Sequence, residues 1–258
     1  MTAALPWTLI AAVVFAAIFL FGGSLRPLGS IAPRRAASLA AGAAVAYVFV
    51  HLLPELEAAR SALLASAGRF SLPLRERTVG LASMLGFAAF YGLEEIMASS
   101  PPAPAGAADS GGDRIAPARW AHVGGFGAYA WLVSYLLVKG PEGRAVPLTL
   151  YAVAMGLHFF SMAHALEHWH GRFYDRVGSR VLAAMALGGW LCGALLDLPA
   201  PALAGLLGFV AGAVIANTMT AELPREKQGR FGYFLIGIGA YTALLLALDR
   251  HSSGGDGE

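Results

Sequence analysis

Eight stretches of mostly apolar residues recur along the chain, and they constrain its fold more than any other feature. A helix needs roughly 20 such residues to cross a bilayer, where backbone polar groups must bond within the segment. None of the stretches alternates in polarity as a barrel strand would. The pattern predicts an all-α integral membrane protein with eight transmembrane helices, called spans one to eight, near residues 6–23, 36–53, 78–97, 120–138, 147–166, 181–197, 202–221 and 231–248.

The composition supports a membrane protein. Hydrophobic residues make up 57% of the 258 residues and charged residues only 13%, against roughly 25% charged in soluble domains. So much apolar surface favours a lipid bilayer as its surroundings. The net charge of +2 argues against a nucleic-acid partner. Cys192 is the single cysteine, so no internal disulfide can form.

Lysine and arginine are shared unevenly between the two sides that the spans define. The loops after spans one, three, five and seven hold eleven of the 18 cationic residues: Arg26, Arg34, Arg35, Arg114, Arg119, Arg172, Arg176, Arg180, Arg225, Lys227 and Arg230. Cationic loops face the cytoplasm in most membrane proteins. The uneven distribution of lysine and arginine therefore predicts that both termini lie outside. The compact loops suggest a bacterial inner membrane.

The chain is expected to form a single polytopic membrane domain over residues 1–258. Its longest linker, residues 98–119, reads "ASSPPAPAGAADSGGDRIAPAR". Its proline, alanine, glycine and serine content is typical of a flexible segment, here on the cytoplasmic side.

Two segments of the chain resemble each other at a constant offset of 170 residues. "AGAAVAYVFVHLLPE" (41–55) and "AGAVIANTMTAELPR" (211–225) share six of fifteen letters at this offset. The spans that follow these two segments also look alike, "GFAAFYG" (86–92) beside "GIGAYTA" (237–243). The predicted topology gives spans two and seven opposite directions. The pattern thus indicates an inverted repeat of spans one to three and six to eight around spans four and five. Chance similarity between spans rich in small residues is the alternative.

Ionisable residues end spans two and three. His51 and Glu55 are four residues apart, so they share a helix face, and Pro54 interrupts the backbone hydrogen bonds between them. The pair is either the outer opening of a metal path or a polar helix end. Glu94 and Glu95 leave the same two interpretations open at the cytoplasmic side.

The densest polar segment is "LHFFSMAHALEHWHGRFYD" (157–175). His158 lies midway along span five, where a lipid-facing imidazole would be unfavourable, so we expect it to face the bundle interior with Met162 one turn on. The further groups His164, Glu167 and His168 lie on another face and predict a second, cytoplasm-side metal site, which His122 of span four could approach. An interfacial polar cluster is the alternative.

With these polar segments and eight spans, the chain resembles the ZIP family of divalent metal transporters over nearly its whole length. The resemblance rests on eight spans, a long loop after span three, and four segments: "HLLPE" (51–55), "GFAAFYGLEEI" (86–96), "GGWLCGALL" (188–196) and "GFVAGAVIANTMTAELP" (208–224). It implies an eight-helix transporter whose substrate is zinc, iron or a similar metal ion.

The resemblance also implies a metal centre in spans four and five, where the family places a histidine and a glutamate four residues later. Here Met162 stands four residues after His158, and Phe126 four after His122. The paired carboxylates are therefore missing. Without the negative charge of those carboxylates, the hydration that a divalent ion loses in the membrane is poorly offset. The Met162 thioether instead suits softer ions such as Cu(I).

Two functions remain open. One is ZIP-like transport of a divalent or soft metal ion between helices 2, 4, 5 and 7, and the other is a non-transporting sensor or assembly protein on the same scaffold. Transport would be passive or gradient-driven, since no nucleotide-binding motif is present. An enzyme is not expected, since "HALEH" (164–168) differs from HExxH and no Ser/His/Asp arrangement stands out. The expected partners are the metal ion and the lipid bilayer, with a homodimer left open.

Overall fold

The computed structural model describes residues 5–22, 33–65, 73–98, 116–139, 148–219 and 231–253, and these are almost entirely helical. The α-helices in chain order are α1 Leu5–Phe21, α2 Pro33–Ala46, α3 Leu53–Ala65, α4 Pro73–Ala98, α5 Ala116–Lys139, α6 Leu148–His170, α7 Ser179–Leu195, α8 Ala200–Asn217 and α9 Phe231–Ser253. Because α2 and α3 are joined by a helical turn, they form one unit that corresponds to span two.

The predicted all-α class is confirmed, and the apolar helices fit a membrane protein, while the count of eight spans stays a prediction. Five helical segments among the described residues are long and apolar enough to cross a membrane: Gly42–Ala65, Arg77–Ile96, Pro117–Lys139, Tyr174–Leu195 and Ala200–Asn217. Two shorter apolar helices, Leu5–Phe21 and Phe231–Ala247, accompany them. Of the predicted 98–119 loop, residues 116–119 begin α5, and residues 99–115 lie outside the described part of the chain.

A π-helical turn, Tyr47–Leu52, joins α2 to α3. The Leu53 N–H donates to the carbonyl of Val48, five residues back. Pro54 follows immediately and has no N–H to donate, so a regular α-helical ladder could not continue through this point. The wider turn absorbs that break without ending the helix, and π turns of this kind are frequent at functional sites.

The helices associate in two groups. The α2–α3 unit packs with α9, and α4 packs with α8, while α3 also contacts α8. In the second group α7 packs with α1 and α5, and α6 packs with α1. Since α5 also contacts α4 and α8, the seam between the two groups runs along α5.

Glycines permit the closest backbone contacts. A Cβ on Gly42 would collide with the carbonyl of Phe234 in α9, and one on Gly237 would collide with the carbonyl of Leu39 in α2. Small residues let membrane helices approach in this way.

The α4–α8 interface is built in the same manner. A Cβ on Gly86 would collide with the carbonyl of Phe209, and one on Gly212 would collide with the carbonyl of Ser83. Neither interface can accept a larger side chain at these positions without moving a helix backbone.

Candidate functional site

His51 and Glu55 meet at the junction of the π turn and α3. The His51 Nε2 atom lies 3.3 Å from a Glu55 carboxylate oxygen, and the two side chains are only 8% and 11% exposed. The Tyr47 ring lies one turn before, with its centroid 5.2 Å from the imidazole. The structure thus brings together two residues that share a helix face, with His51 buried and Glu55 only slightly more exposed.

Tyrosines line the interior beside this pair. Tyr47 contacts Tyr241 of α9 edge to face, with ring centroids 6.5 Å apart. Tyr151 of α6 is buried and donates a hydrogen bond from its hydroxyl to the Val133 carbonyl, 3.1 Å away. Sequence reasoning missed these phenols, because apolar stretches accommodate tyrosine without any break in the hydrophobic pattern.

His158 and Met162 are buried on α6, at 8% and 2% exposure. The His158 imidazole packs against the ring of Tyr129 on α5, with centroids 5.7 Å apart. The preceding residue, Leu157, is 55% exposed and therefore marks the outer face of the same helix. His158 accordingly points into the bundle from α6 toward α5.

The two positions where the ZIP resemblance implies glutamates are occupied by packed apolar side chains. Phe126 is 2% exposed and contacts Phe90 of α4 edge to face, with centroids 5.4 Å apart. Met162 belongs to the same hydrophobic core. Since both positions are filled by apolar atoms, neither offers a charged ligand to an ion.

Three buried ionisable residues form a connected row, named here the Glu94–His122–His170 cluster. The Nδ1 atom of His122 lies 2.8 Å from Nε2 of His170, and Nε2 of His122 lies 3.5 Å from a Glu94 carboxylate oxygen. Their exposures are 1% for His122, 6% for His170 and 8% for Glu94. The cluster joins three helices, since Glu94 lies on α4, His122 on α5 and His170 at the end of α6.

His170 is held neutral by its surroundings. Burial, followed by the proximity of His122 and then of Arg119, lowers the pKa of His170 from 6.5 to about 4. A neutral imidazole has one donor and one acceptor nitrogen. One of the two facing nitrogens must therefore carry the proton of the His122–His170 hydrogen bond.

Of the two histidines expected beside His122, His164 lies elsewhere. His164 is 60% exposed at its side chain, and its Nδ1 atom is 3.9 Å from a Glu167 oxygen. The side chain of His168 lies outside the described part of the structure. The partner of His122 is His170 instead. His170 follows His164 by six residues, or about 240° around the helix, so the two side chains leave α6 in different directions.

No three histidine, cysteine, aspartate or glutamate side chains within the described ranges are grouped so as to hold a metal ion. His51 with Glu55 and His164 with Glu167 are pairs, and the Glu94–His122–His170 cluster is a row in which His122 turns one nitrogen to each neighbour. A row of this kind orients imidazoles but does not converge three ligand atoms on one point.

Comparison with protein-family models finds no match to this chain, and comparison with curated proteins finds none either.

Proposed function

We propose that this chain carries a divalent or soft metal ion across a membrane by a ZIP-like route, along a polar path between spans two, four, five and seven. The path follows the seam between the two helix groups. Its lining would come from the α2–α3 unit, α5, α6 and α8, which are the structural counterparts of those spans.

One observation carries the proposal: His51, His122 and His158 are buried within three different helical units, at 8%, 1% and 8% exposure. An imidazole inside an apolar helix is costly to place, and ionisable residues within membrane helices mark ion pathways and proton relays. Neutral imidazole is also a common ligand for first-row transition metals.

The polar path continues into α8. Asn217 and Thr218 are buried at 4% and 3% exposure, at the end of the helix. A carboxamide and a hydroxyl offer oxygen atoms to a passing ion without introducing a charge. The proposed path would thus alternate imidazole, phenol and amide groups, with the Glu55 and Glu94 carboxylates near its two ends.

The ligand set favours a soft ion over a hard one. His158 and Met162 are one turn apart and both buried, so they would provide imidazole nitrogen and thioether sulfur from one helix. Sulfur ligands select soft metals such as Cu(I), whereas a divalent ion would need negative charge to offset its lost hydration. His164, Glu167 and His168 would act as a second site for a bound ion, at which the His164 side chain is 60% exposed.

Uptake by proteoliposomes tests the proposal. Purified protein would be reconstituted and presented in turn with Zn²⁺, Fe²⁺, Mn²⁺, Cd²⁺ and Cu(I), with a metal-sensitive dye inside the vesicles. Uptake of at least one ion above protein-free vesicles is expected. Absence of uptake for all five, together with no metal retained after dialysis, would exclude transport.

A non-transporting membrane protein on the same scaffold is the second candidate. The observation that favours it is the apolar filling by Phe126 and Met162, both 2% exposed, at the positions where the family places its carboxylates. In that case the protein would bind metal without moving it, or act as an assembly partner. Retained metal without uptake would identify this alternative.

We also propose that the fold contains the inverted repeat. The offset of 170 equates Gly42 with Gly212, and the second matched segment equates Gly86 with Gly237. Gly42 and Gly237 face each other's helices at the α2–α9 interface, and Gly212 and Gly86 do so at the α4–α8 interface. The proposed symmetry therefore exchanges the α2–α9 interface with the α4–α8 interface. Chance similarity between spans would not require the two interfaces to correspond.

The orientation belongs to the same proposal. Both termini would lie outside a bacterial inner membrane, and residues 98–119 would be cytoplasmic, as the distribution of lysine and arginine indicates. The Glu94–His122–His170 cluster would then stand at the cytoplasmic end of the path, and the His51–Glu55 pair at the outer end.

A further inference from the structure

A groove opens on the outer face of the bundle between α3, α4 and α8. Its volume is about 420 Å³, within the range of small-molecule sites in proteins. Leu53, Met84 and Phe87 form its walls, and Gly80 deepens it. A Cβ on Gly80 would meet no other atom within 4 Å, so the missing side chain there leaves open space in the groove.

The groove is polar at one end only. Glu57 and Arg60 of α3 line it and bond to each other, with the Arg60 Nη2 and Nε atoms 2.7 Å and 2.9 Å from the Glu57 carboxylate. Both side chains are substantially exposed. The pair is salt-bridged and net neutral, and it presents one anionic and one cationic group to whatever occupies the rim.

The direction of the groove follows from a small buried cluster. Leu63, near the end of α3, packs with Val79, in the second turn of α4, and with Ala204. The end of α3 therefore lies beside the beginning of α4, so the Arg60 end of the groove adjoins Val79 and Gly80. Phe87 lies eight residues further along α4, about 12 Å deeper. The groove thus runs from a charged rim at the helix ends toward the apolar middle of α4.

We propose that this groove binds one phospholipid with a zwitterionic headgroup of the phosphatidylethanolamine type. An acyl chain would lie against Gly80, Met84 and Phe87. The lipid phosphate would approach Arg60, and its ammonium would approach Glu57. The groove matches such a lipid in shape and in charge. It is apolar along its length, and its rim carries one positive and one negative group, as the headgroup does. This inference does not depend on metal transport.

Two glycines on α4 provide a matched pair of variants. A Cβ on Gly80 or on Gly92 would meet no other atom within 4 Å, so a side chain can begin at either position without a clash. Gly80 lines the groove and Gly92 does not. Gly80→Leu should fill the groove, whereas Gly92→Leu adds the same side chain elsewhere on the same helix.

The full chain is delipidated in detergent and titrated with phosphatidylethanolamine or phosphatidylglycerol. Native mass spectrometry then counts the lipid molecules that stay bound. Wild type and Gly92→Leu should retain one phosphatidylethanolamine, and Gly80→Leu should bind it about tenfold less tightly, since several methylene groups lose their contacts. Equal binding by the two leucine variants would overturn the proposal. So would conversion of a dimer to a monomer by Gly80→Leu, because the groove would then hold a second copy of the chain.

The rim is tested by its two charges. Glu57→Gln should shift the preference toward phosphatidylglycerol, because the remaining Arg60 presents a net positive charge. Arg60→Gln should weaken both lipids. If Glu57→Gln and Arg60→Gln leave the phosphatidylethanolamine preference unchanged, the headgroup assignment is wrong. Circular dichroism and gel-filtration profiles like those of wild type establish that each variant is folded.

Discussion

The Nδ1 atom of His122 lies 2.8 Å from Nε2 of His170, and the two residues are 48 positions apart in the chain. Both rings are buried, at 1% and 6% exposure. The other nitrogen of His122 faces Glu94 at 3.5 Å, so this one imidazole connects α4, α5 and α6. The contact ties together helices from both groups of the bundle at one end of the proposed path.

Stability should fall as the pH is lowered through the range set by His170. Its pKa in the folded protein is lowered to about 4, from 6.5 in an exposed chain, mainly by burial. Below about pH 6.5 the unfolded state binds a proton that the folded state does not, so the destabilisation accumulates as the pH falls toward about 4. The destabilisation is therefore absent above about pH 6.5 and complete near pH 4.

The measurement is thermal unfolding in detergent with EDTA, at pH 7.5 and at pH 4.5. His170→Gln removes the titrating group, so the variant should lose less of its melting temperature between the two pH values than wild type does. An identical loss in both proteins would show that other groups, and not His170, set the acid sensitivity.

His158→Ala should lower metal uptake into proteoliposomes, by about tenfold or more, because an inward-facing ligand is removed from the path. Leu157→Ala is the matched control, since Leu157 adjoins His158 on α6 but is 55% exposed on the outer face. The prediction fails if both variants transport as well as wild type, or if both lose uptake equally with intact folding.

His164→Ala combined with His168→Ala should weaken metal retention in equilibrium dialysis more than it slows uptake. The reason is exposure: the His164 side chain is 60% exposed, so it would hold an ion at the edge of the path, not along it. An uptake defect as large as that of His158→Ala, with retention unchanged, would place these residues in the path itself.

Gly237→Ala should destabilise the protein by about 1–3 kcal/mol, as overpacking at a helix interface does. A Cβ at Gly237 would collide with the Leu39 carbonyl, whereas one at Gly239, two residues on, would meet nothing within 4 Å. Gly239→Ala should therefore be neutral or stabilising by up to about 1 kcal/mol through helix propensity. Urea or thermal unfolding in detergent compares the two, and equal stability would refute the close approach of α9 to α2.

Cysteine labelling tests the proposed orientation. In a Cys192→Ala background, Ser66→Cys should react with an impermeant maleimide in intact cells, and Ser110→Cys should react only after the cells are opened. The prediction follows from the uneven distribution of lysine and arginine. The reverse labelling pattern would place the termini inside.

The local spacing of residues anticipated part of the candidate site. His51 and Glu55 are four residues apart, and their side chains do meet, because a helical turn brings residues at that spacing onto one face whatever surrounds it. Likewise, long apolar stretches must become helices in a bilayer, since their backbone groups have no other partners there. Both conclusions need only neighbours along the chain.

Contacts between distant helices could not be anticipated in this way. The sequence suggested His164 and His168 as neighbours of His122, but the structure brings His170 there, because helix rotation and tilt are set by packing between side chains. Tyr47 and Tyr241 meet for the same reason, as do Phe126 and Phe90.

The sequence by itself therefore determined the helical membrane class, the approximate spans and the residues that share a helix face, because these follow from hydrophobicity and the helical period. The tertiary structure alone decided which buried imidazoles touch, which glycines admit a neighbouring backbone and where a groove stays open. Those features depend on how side chains from different helices fill the space between them. The apolar pattern of a single helix does not determine that packing, because many apolar sequences satisfy the same pattern.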